Sequence, residues 1–238
     1  MKIIKKLSVV VPVYNEEKTI GKILEKLYKV DFGKIKLEVV VVNDGSSDGT
    51  LKVLNNFSKK YPIKIISYSE NVGKGWALRI GFKETTGEVI TIQDGDLEYE
   101  PSDFSKMLKK MSDSNVRVVY GSRRLNKKNN RNSGIIFLWG GLALTWIANI
   151  LYGGKLTDEP TCYKMFESKL LKSLDLKSKR FESCSEITAK ILRKGINIYE
   201  VPIAYYPRSV IEGKKIRLKD FFENLGALLK YRAINEIR

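Results

Sequence analysis

Asp94-Gly95-Asp96 follows an apolar run at residues 88–93 (EVITIQ). On extended chain, residues two apart project to one side, so both carboxylates can reach a common point. Adjacent carboxylates repel unless a cation joins them, and oxygen-only ligands suit Mg2+ or Mn2+ shared with substrate phosphates. Glu98 offers a third oxygen donor; its plainer reading is an acidic helix start before Pro101. An isolated D-x-D is usually a solvated turn, and its place at the end of a buried strand is what points to a metal site. A second polar cluster, NDGSSDGT at 43–50, also follows an apolar run, LEVVVV. A carboxylate there, Asp44, can accept hydrogen bonds from a nucleobase or ribose. The plainer reading is a turn with a helix cap, and Asp48 fits that cap. At 71–75, NVGKG lacks the G-x-x-x-x-G-K-[ST] spacing, and no G-x-G-x-x-G follows the first strand, so ATPase and dinucleotide readings fall. Lys74, between two glycines at a helix start, can still contact a diphosphate.

The elements that must position these residues alternate. Apolar strands are expected at 7–13, 37–42, 63–67 and 88–93, and helical spacing at 19–30, 48–57 and 74–85. This pattern predicts an α/β fold with an open, mostly parallel sheet flanked by helices, whose ligands bind beyond the C-terminal strand ends. The clusters at 14–16, 43–48 and 93–98 fall there. The basic residues ahead of the first apolar run mimic a signal peptide, but Pro12 and Asn15-Glu16-Glu17 break it without a small-residue cleavage site, so a buried strand is expected.

The second half is less regular. A helix is expected at 103–111, a strand at 117–121, a basic, asparagine-rich loop at 123–132, a helix at 186–193, a strand at 198–204 and a basic amphipathic helix at 219–238. Residues 133–154 carry no formal charge over 22 residues, long enough to span a bilayer. Mid-segment Trp139 and Trp146, glycines, Thr145 and Asn149 favour a helix lying in the membrane interface; a buried helix and a true span are the alternatives.

Composition narrows the chemistry. The chain has 238 residues, 43 Lys and Arg against 27 Asp and Glu, a net charge of +16 and no histidine. Serine–histidine and cysteine–histidine nucleophile systems and histidine-ligated zinc are therefore excluded. Cys162 and Cys184 cannot build a disulfide framework and suggest a reducing compartment, placing the protein in the cytoplasm. The first 100 residues are nearly neutral, so the surplus charge lies in the second half. Such asymmetry implies an anionic partner (nucleic acid, a membrane surface or phosphorylated substrates) or else a lysine-rich surface.

Four motifs in fixed order, VVPVYNE at 10–16, NDGSSDGT at 43–50, NVGKG at 71–75 and QDGDLE at 93–98, resemble the family 2 glycosyltransferases of the GT-A fold across residues 7–124. The second half, through GSR at 121–123, TDEPTCYK at 157–164, YPR at 206–208 and EGKKI at 212–216, is similar to their polyprenyl-phosphate branch, which includes the dolichyl-phosphate mannose synthases. The resemblance implies one GT-A domain over 1–238: a nucleotide-sugar half at 7–124 and an acceptor- and membrane-facing half at 125–238. Pro12, Tyr14 and Glu16 would line the nucleoside pocket, Asp44 would read the base and Lys74 would meet the diphosphate. Asp94 and Asp96 would hold Mg2+ or Mn2+ on the donor diphosphate, with Glu98 nearby. Arg123, Arg131, Arg208 and Lys214 or Lys215 would gather the acceptor phosphate and donor charge, which makes Asp96, Arg123 and Arg208 the expected catalytic set.

Two departures accompany the resemblance. FESCSE at 181–186 stands where relatives often carry an apolar or Glu-Pro step, leaving Glu186 without an assigned role. The mannose synthases more often have Asp-Asp-Asn-Ser in the second motif, so mannose and glucose, and guanosine and uridine, all stay open. Longer relatives carry C-terminal transmembrane helices. This chain is expected instead to sit peripherally at the cytosolic face of a membrane, alone or with a small anchoring partner.

The expected reaction is metal-dependent, inverting transfer of a hexose from a GDP- or UDP-sugar to a polyprenyl phosphate. A lipid monophosphate is largely dianionic at pH 7 and is its own nucleophile, so the lack of histidine is compatible with it. The alternatives are transfer to a glycan hydroxyl, a basic nucleic-acid-binding module and a catalytically silent membrane scaffold. The nucleic-acid reading explains none of the carboxylate motifs, and no nucleic-acid partner is expected.

Overall fold

A computed structural model describes residues 2–127, 129, 135–208 and 218–234. Its centre is a seven-stranded sheet in the order β3-β2-β1-β4-β6-β5-β7. The strands are β1 (Lys6–Val13), β2 (Lys36–Asp44), β3 (Ile63–Tyr68), β4 (Val89–Ile92), β5 (Val118–Ser122), β6 (Lys164–Glu167) and β7 (Tyr199–Pro202). β1 pairs in parallel with both β2 and β4, and Val10 lies opposite Val40 on one side and Ile92 on the other. Valine runs suit this position because a central parallel strand is covered on both faces.

The helices that cover those faces are α1 (Ile20–Tyr28), α2 (Thr50–Ser58), α3 (Lys74–Glu84), α4 (Asp103–Met111), α5 (Ile135–Tyr152), α6 (Ser168–Lys172), α7 (Ser183–Arg193) and α8 (Leu218–Ala233). One face carries α1, α2 and α4; Ile20, Ile23, Leu24 and Leu27 of α1 bury the stripe expected of three- and four-residue spacing. The other face carries α3, α6 and α7, through Leu78, Phe82, Leu170, Ile187 and Ile191.

The expected first-half elements are present, and the helix at 103–111 has the bounds read from sequence. β6 and α6 were not expected. KMFE is short and half charged, yet it pairs antiparallel with β4 and β5, and its Lys164 is fully buried. The Lys164 ammonium is accommodated by the Glu159 carbonyl at 2.6 Å and by the Tyr120 ring, 3.7 Å from its centroid.

α5 is covered on one side only. Leu144 and Ala148 are buried against Ala189 of α7 and Ala227, Leu228 and Tyr231 of α8. Trp139, Trp146 and Ile150, on the opposite side, are 65%, 67% and 60% exposed, which replaces the buried-helix alternative with a two-sided helix. No helix among the described residues is long and apolar enough to cross a membrane. The last four residues of the helix expected at 219–238 lie outside the described residues.

Candidate active site

Three strand ends build the site: β1 runs into Tyr14-Asn15-Glu16, β2 ends at Asp44, and β4 continues through Gln93 to Glu98. The turn after β1 is held at Asn15, which has a φ of 50°. Asn15 Oδ1 accepts from the Ser47 backbone N–H at 2.8 Å, and its own N–H donates to Ser46 Oγ at 2.9 Å. The Glu16 N–H donates to Thr50 Oγ1 at 2.9 Å. The first and second motifs are thereby one unit.

The second and third motifs are joined just as closely. Buried Asp44 accepts from Asn71 Nδ2 at 2.9 Å, the Val72 N–H at 3.1 Å and the Gly73 N–H at 2.7 Å. A carboxylate has about four acceptor positions, so one remains for a ligand. Gly45 permits the approach: its φ is 70°, and a Cβ there would lie 2.3 Å from the Glu70 carbonyl carbon. At Gly73 a Cβ would lie 2.4 Å from the Lys179 carbonyl oxygen, so this glycine admits the 178–180 segment. Glu186 anchors that segment, accepting the Lys177 N–H at 2.8 Å and the Ser178 N–H at 2.7 Å.

Charge concentrates where β1 and β4 end. Lys74 Nζ, at the start of α3, pairs with Asp94 Oδ1 at 2.5 Å. Burial alone would push the Asp94 carboxyl up, but Lys74 outweighs it and holds the group low. Arg208 Nη2 pairs with Asp96 at 2.8 Å, and the same guanidinium meets Glu16 at 3.3 Å and Glu98 at 3.5 Å. Glu98 also accepts the Arg208 N–H and the Tyr205 hydroxyl, both at 3.1 Å, so it is no mere helix-start acid. The Asp96 carboxyl is pushed up to about 7 by burial first, then by Asp94 and Glu98, against the pull of Arg208.

Four carboxylates (Glu16, Asp94, Asp96, Glu98) therefore face two cations (Lys74, Arg208), an excess of two negative charges when all are ionised. An oxygen-only donor set with that deficit fits a hard divalent cation. Among the described residues no group of three acidic or cysteine side chains could hold a metal ion. A cation on Asp94 and Asp96 would need further oxygens from a ligand or water.

Arg123 is placed differently. Its Nε and Nη2 donate to Asp158 at 2.7 Å each, and its backbone N–H donates to the same carboxylate at 2.9 Å. Asp158 is fully buried; burial would raise its carboxyl, and Arg123 holds it low instead. The Tyr205 ring packs against the guanidinium, 5.0 Å from its centroid. Pro12 is buried in β1 and Tyr14 is 36% exposed beside the turn. Arg131, Lys214 and Lys215 lie outside the described residues.

Sequence reasoning missed several residues of this site. Asp158 and Asn71 stood in quoted motifs without a role, and Tyr205 carried no signal. Cys162 Sγ accepts from Lys74 Nζ at 3.2 Å across 88 residues of chain, a contact that no local spacing announces.

The chain is 29% identical over 244 residues to a dolichyl-phosphate beta-glucosyltransferase of Trichomonas vaginalis, covering 97% of this chain and 74% of that protein. It is 29% identical over 234 residues to the UDP-N-acetylglucosamine–dolichyl-phosphate N-acetylglucosaminyltransferase of Methanococcus voltae, covering 90% and 92%. Among solved structures, glucosyl-3-phosphoglycerate synthase from Mycobacterium tuberculosis, in complex with Mn2+, UDP and glucosyl-3-phosphoglycerate, superposes with a TM-score of 0.72. That match covers 98% of this chain and 81% of the other at 18% identity, a likeness of fold, and the fold is GT-A. The profile of Glycosyl transferase family 2 matches residues 8–174, the stretch that holds all three strand ends and the Arg123–Asp158 pair, and the chain belongs to that family of glycosyltransferases.

Proposed function

We propose that this glycosyltransferase moves a hexose from a nucleoside-diphosphate sugar to a polyprenyl phosphate at a membrane surface, with inversion at the anomeric carbon, as one catalytic unit. The observation that carries the reading is the acidic cluster at the ends of β1 and β4, short of two positive charges when all four acids are ionised. Asp94 and Asp96 would hold Mg2+ or Mn2+, which when bound neutralises the diphosphate of the donor and of the departing nucleotide. Asp44, with its remaining acceptor position, and Tyr14 flank the nucleoside, while Pro12 shapes the strand end beneath it. Lys74 adds a positive charge beside Asp94.

Arg208 bridges Glu16, Asp96 and Glu98, and so stands ready to meet phosphate charge developing on the leaving group. No side chain need take a proton from the acceptor, because a phosphate monoester with a second pKa of about 6 is mostly dianionic at pH 7. Two approaching phosphates must instead be screened, a task for Arg208 and for Arg123, held in place by Asp158.

The lipid acceptor is supported by the named activities of the two relatives. It is supported as well by the outward apolar residues of two packed helices: Trp139, Trp146 and Ile150 on α5, and Leu218, Phe222 and Leu229 on α8. Exposed tryptophans beside basic chain suit a membrane interface.

The test is a panel of UDP- and GDP-hexoses offered with a short polyprenyl phosphate and Mg2+ or Mn2+, scored for lipid-linked sugar. Product with one donor that requires the lipid phosphate is expected. Transfer to a sugar hydroxyl without any polyprenyl phosphate would overturn the proposed acceptor.

A further inference from the structure

The outward apolar residues of α5 and α8 form two stripes that end at one basic cleft. The helices run side by side in the same direction: a Cβ at Gly140 would lie 3.5 Å from the Phe221 ring, and the Tyr152 hydroxyl donates to the Leu228 carbonyl at 2.5 Å. Their C-terminal ends therefore lie together, beside that of α7, and bound a cleft of about 410 Å3. Exposed Ile150, the last residue of the α5 stripe, lines it together with Tyr152, Arg193 of α7 and Arg232 of α8, and no acid does. Arg193 Nη1 donates to the Tyr231 carbonyl at 2.6 Å, which holds the guanidinium against the last turn of α8 with other N–H donors to spare.

The plainer role for such arginines is to neutralise helix ends. Three C-termini carry about half a negative charge each, roughly −1.5 together. The segments that form the walls, 150–155, 191–197 and 227–234, hold five basic residues (Lys155, Arg193, Lys194, Lys230 and Arg232) and no acidic one. The helix ends offset less than a third of that charge, so the cleft stays positive. It is also separate from the site of transfer. α7 begins against Gly75, where a Cβ would lie 2.9 Å from Ser183 Cβ, and the rise of the helix carries Arg193 about 15 Å further on.

We infer that this cleft is a lipid-headgroup site: Arg193 and Arg232 hold the phosphate of an anionic bilayer phospholipid, while the stripes of α5 and α8 enter the acyl layer beside it. Guanidinium forks suit phosphate oxygens, and the apolar stripes leading to the cleft place it at the depth of the headgroups. The inference rests on the membrane-surface part of the proposed function and adds the lipid that the surface must contain.

The test floats the full chain with vesicles of phosphatidylcholine, with and without about one third phosphatidylglycerol. Binding to the anionic vesicles is expected to fall about twentyfold in Arg193→Gln with Arg232→Gln, at about fivefold for each cation. Lys155→Gln with Lys194→Gln, the same charge change outside the cleft lining, should lose less than about fivefold. Arg232→Gln alone should lose about fivefold with unchanged urea unfolding, which keeps the test decisive if the Arg193 variant is unstable. In isothermal titration, monomeric dihexanoyl phosphatidylglycerol should bind once per chain and not to the arginine double variant, and inorganic phosphate should not compete at equal concentration.

Equal losses in the two double variants would overturn the site in favour of diffuse attraction. Competition by inorganic phosphate would make it a site for free anions and overturn the lipid, and arginine variants that lose stability but keep vesicle binding would reduce both residues to helix caps. A chain that binds neutral and anionic vesicles alike would overturn the headgroup site and leave the membrane reading standing; one that binds neither would overturn both.

Discussion

Replacing Arg123 with methionine isolates one question about the site: whether this guanidinium is free to work on a ligand or is chiefly held by Asp158. The substitution removes two charge-assisted hydrogen bonds of 2.7 Å each and leaves Asp158 only the backbone N–H at 2.9 Å. Asp158 has no exposed surface, so water cannot replace them. At ~1.5–3 kcal/mol for each bond to a charged group, the expected destabilisation at pH 7 is about 3–5 kcal/mol, the range for breaking a buried ion pair.

The pH dependence has a definite sign. In the native protein Arg123 outweighs burial and keeps the Asp158 carboxyl below its ordinary value of 3.8. The pair's contribution is thus present above that value and is lost as pH falls through the depressed one. In the variant, burial is opposed only by the retained backbone N–H and by Arg124, so the carboxyl moves up; the deficit is full at neutral pH and shrinks as Asp158 takes a proton on acidification. Removing the stranded charge as well, in Arg123→Met with Asp158→Asn, should restore about 2 kcal/mol relative to Arg123→Met alone. Urea unfolding followed by tryptophan fluorescence at pH 7 and pH 5, with unchanged denaturant slope, measures all three variants. Single losses below about 1 kcal/mol that add in the double variant would refute the reasoning and leave Arg123 free to act directly on phosphate.

Other perturbations probe separate parts of the molecule. Removing divalent cations with chelator should weaken UDP binding at least tenfold by isothermal titration, since the diphosphate would then meet a site with excess negative charge; about 1.4 kcal/mol of repulsion suffices for that factor. Gly45→Ala forces a β-carbon to within 2.3 Å of the Glu70 carbonyl carbon at a φ of 70°, and should cost about 1–3 kcal/mol in thermal or urea unfolding. Although burial raises the Glu38 carboxyl, its bonds to Lys6, Ser8 and Thr86 outweigh that and hold it at about 2. Glu38→Gln should therefore lose about 1 kcal/mol at pH 7 after solvent screening, a deficit that disappears as pH falls from 4.5 towards 2. Exchanging exposed Trp139 and Trp146 for serine should cut partition onto anionic vesicles about thirtyfold per ring, on the order of 2 kcal/mol, without altering unfolding.

The first half of the fold was legible because its signals are local. Valine runs mark β1 and β2, three- and four-residue spacing marks α1, and polar clusters fall where the strands end. Asp94, Asp96 and Lys74 could be picked out for the same reason: each stands directly after a strand or at a helix start. β6 was hidden because KMFE has no apolar alternation. It is a strand only because β4 and β5 supply partners on both sides, and Lys164 is tolerable there only beside Tyr120 and the Glu159 carbonyl. Arg123 could be named as a basic group near the site, but its bond to Asp158 spans 35 residues and depends on how β5 meets the loop before β6. The bond from Lys74 Nζ to Cys162 Sγ, across 88 residues, is of the same kind.

The formal charge of +16 invites the expectation that anions bind this protein wherever it is basic. At the strand ends the balance has the opposite sign. Lys74 and Arg208 are each spent on carboxylates, Arg123 is held by Asp158, and the site retains a net deficit of positive charge. A nucleoside diphosphate approaching that cluster alone adds like charge to like. Accompanied by a divalent cation, as the proposed function requires, it would find ligands for that cation in Asp94 and Asp96, and the added charge would relieve the crowding that pushes the Asp96 carboxyl up to about 7. On the proposed function, the acidic cluster would thus favour a metal–diphosphate pair over a bare anion. The general surplus of lysine and arginine does not describe this site, where four acids face two bases beyond the ends of β1 and β4.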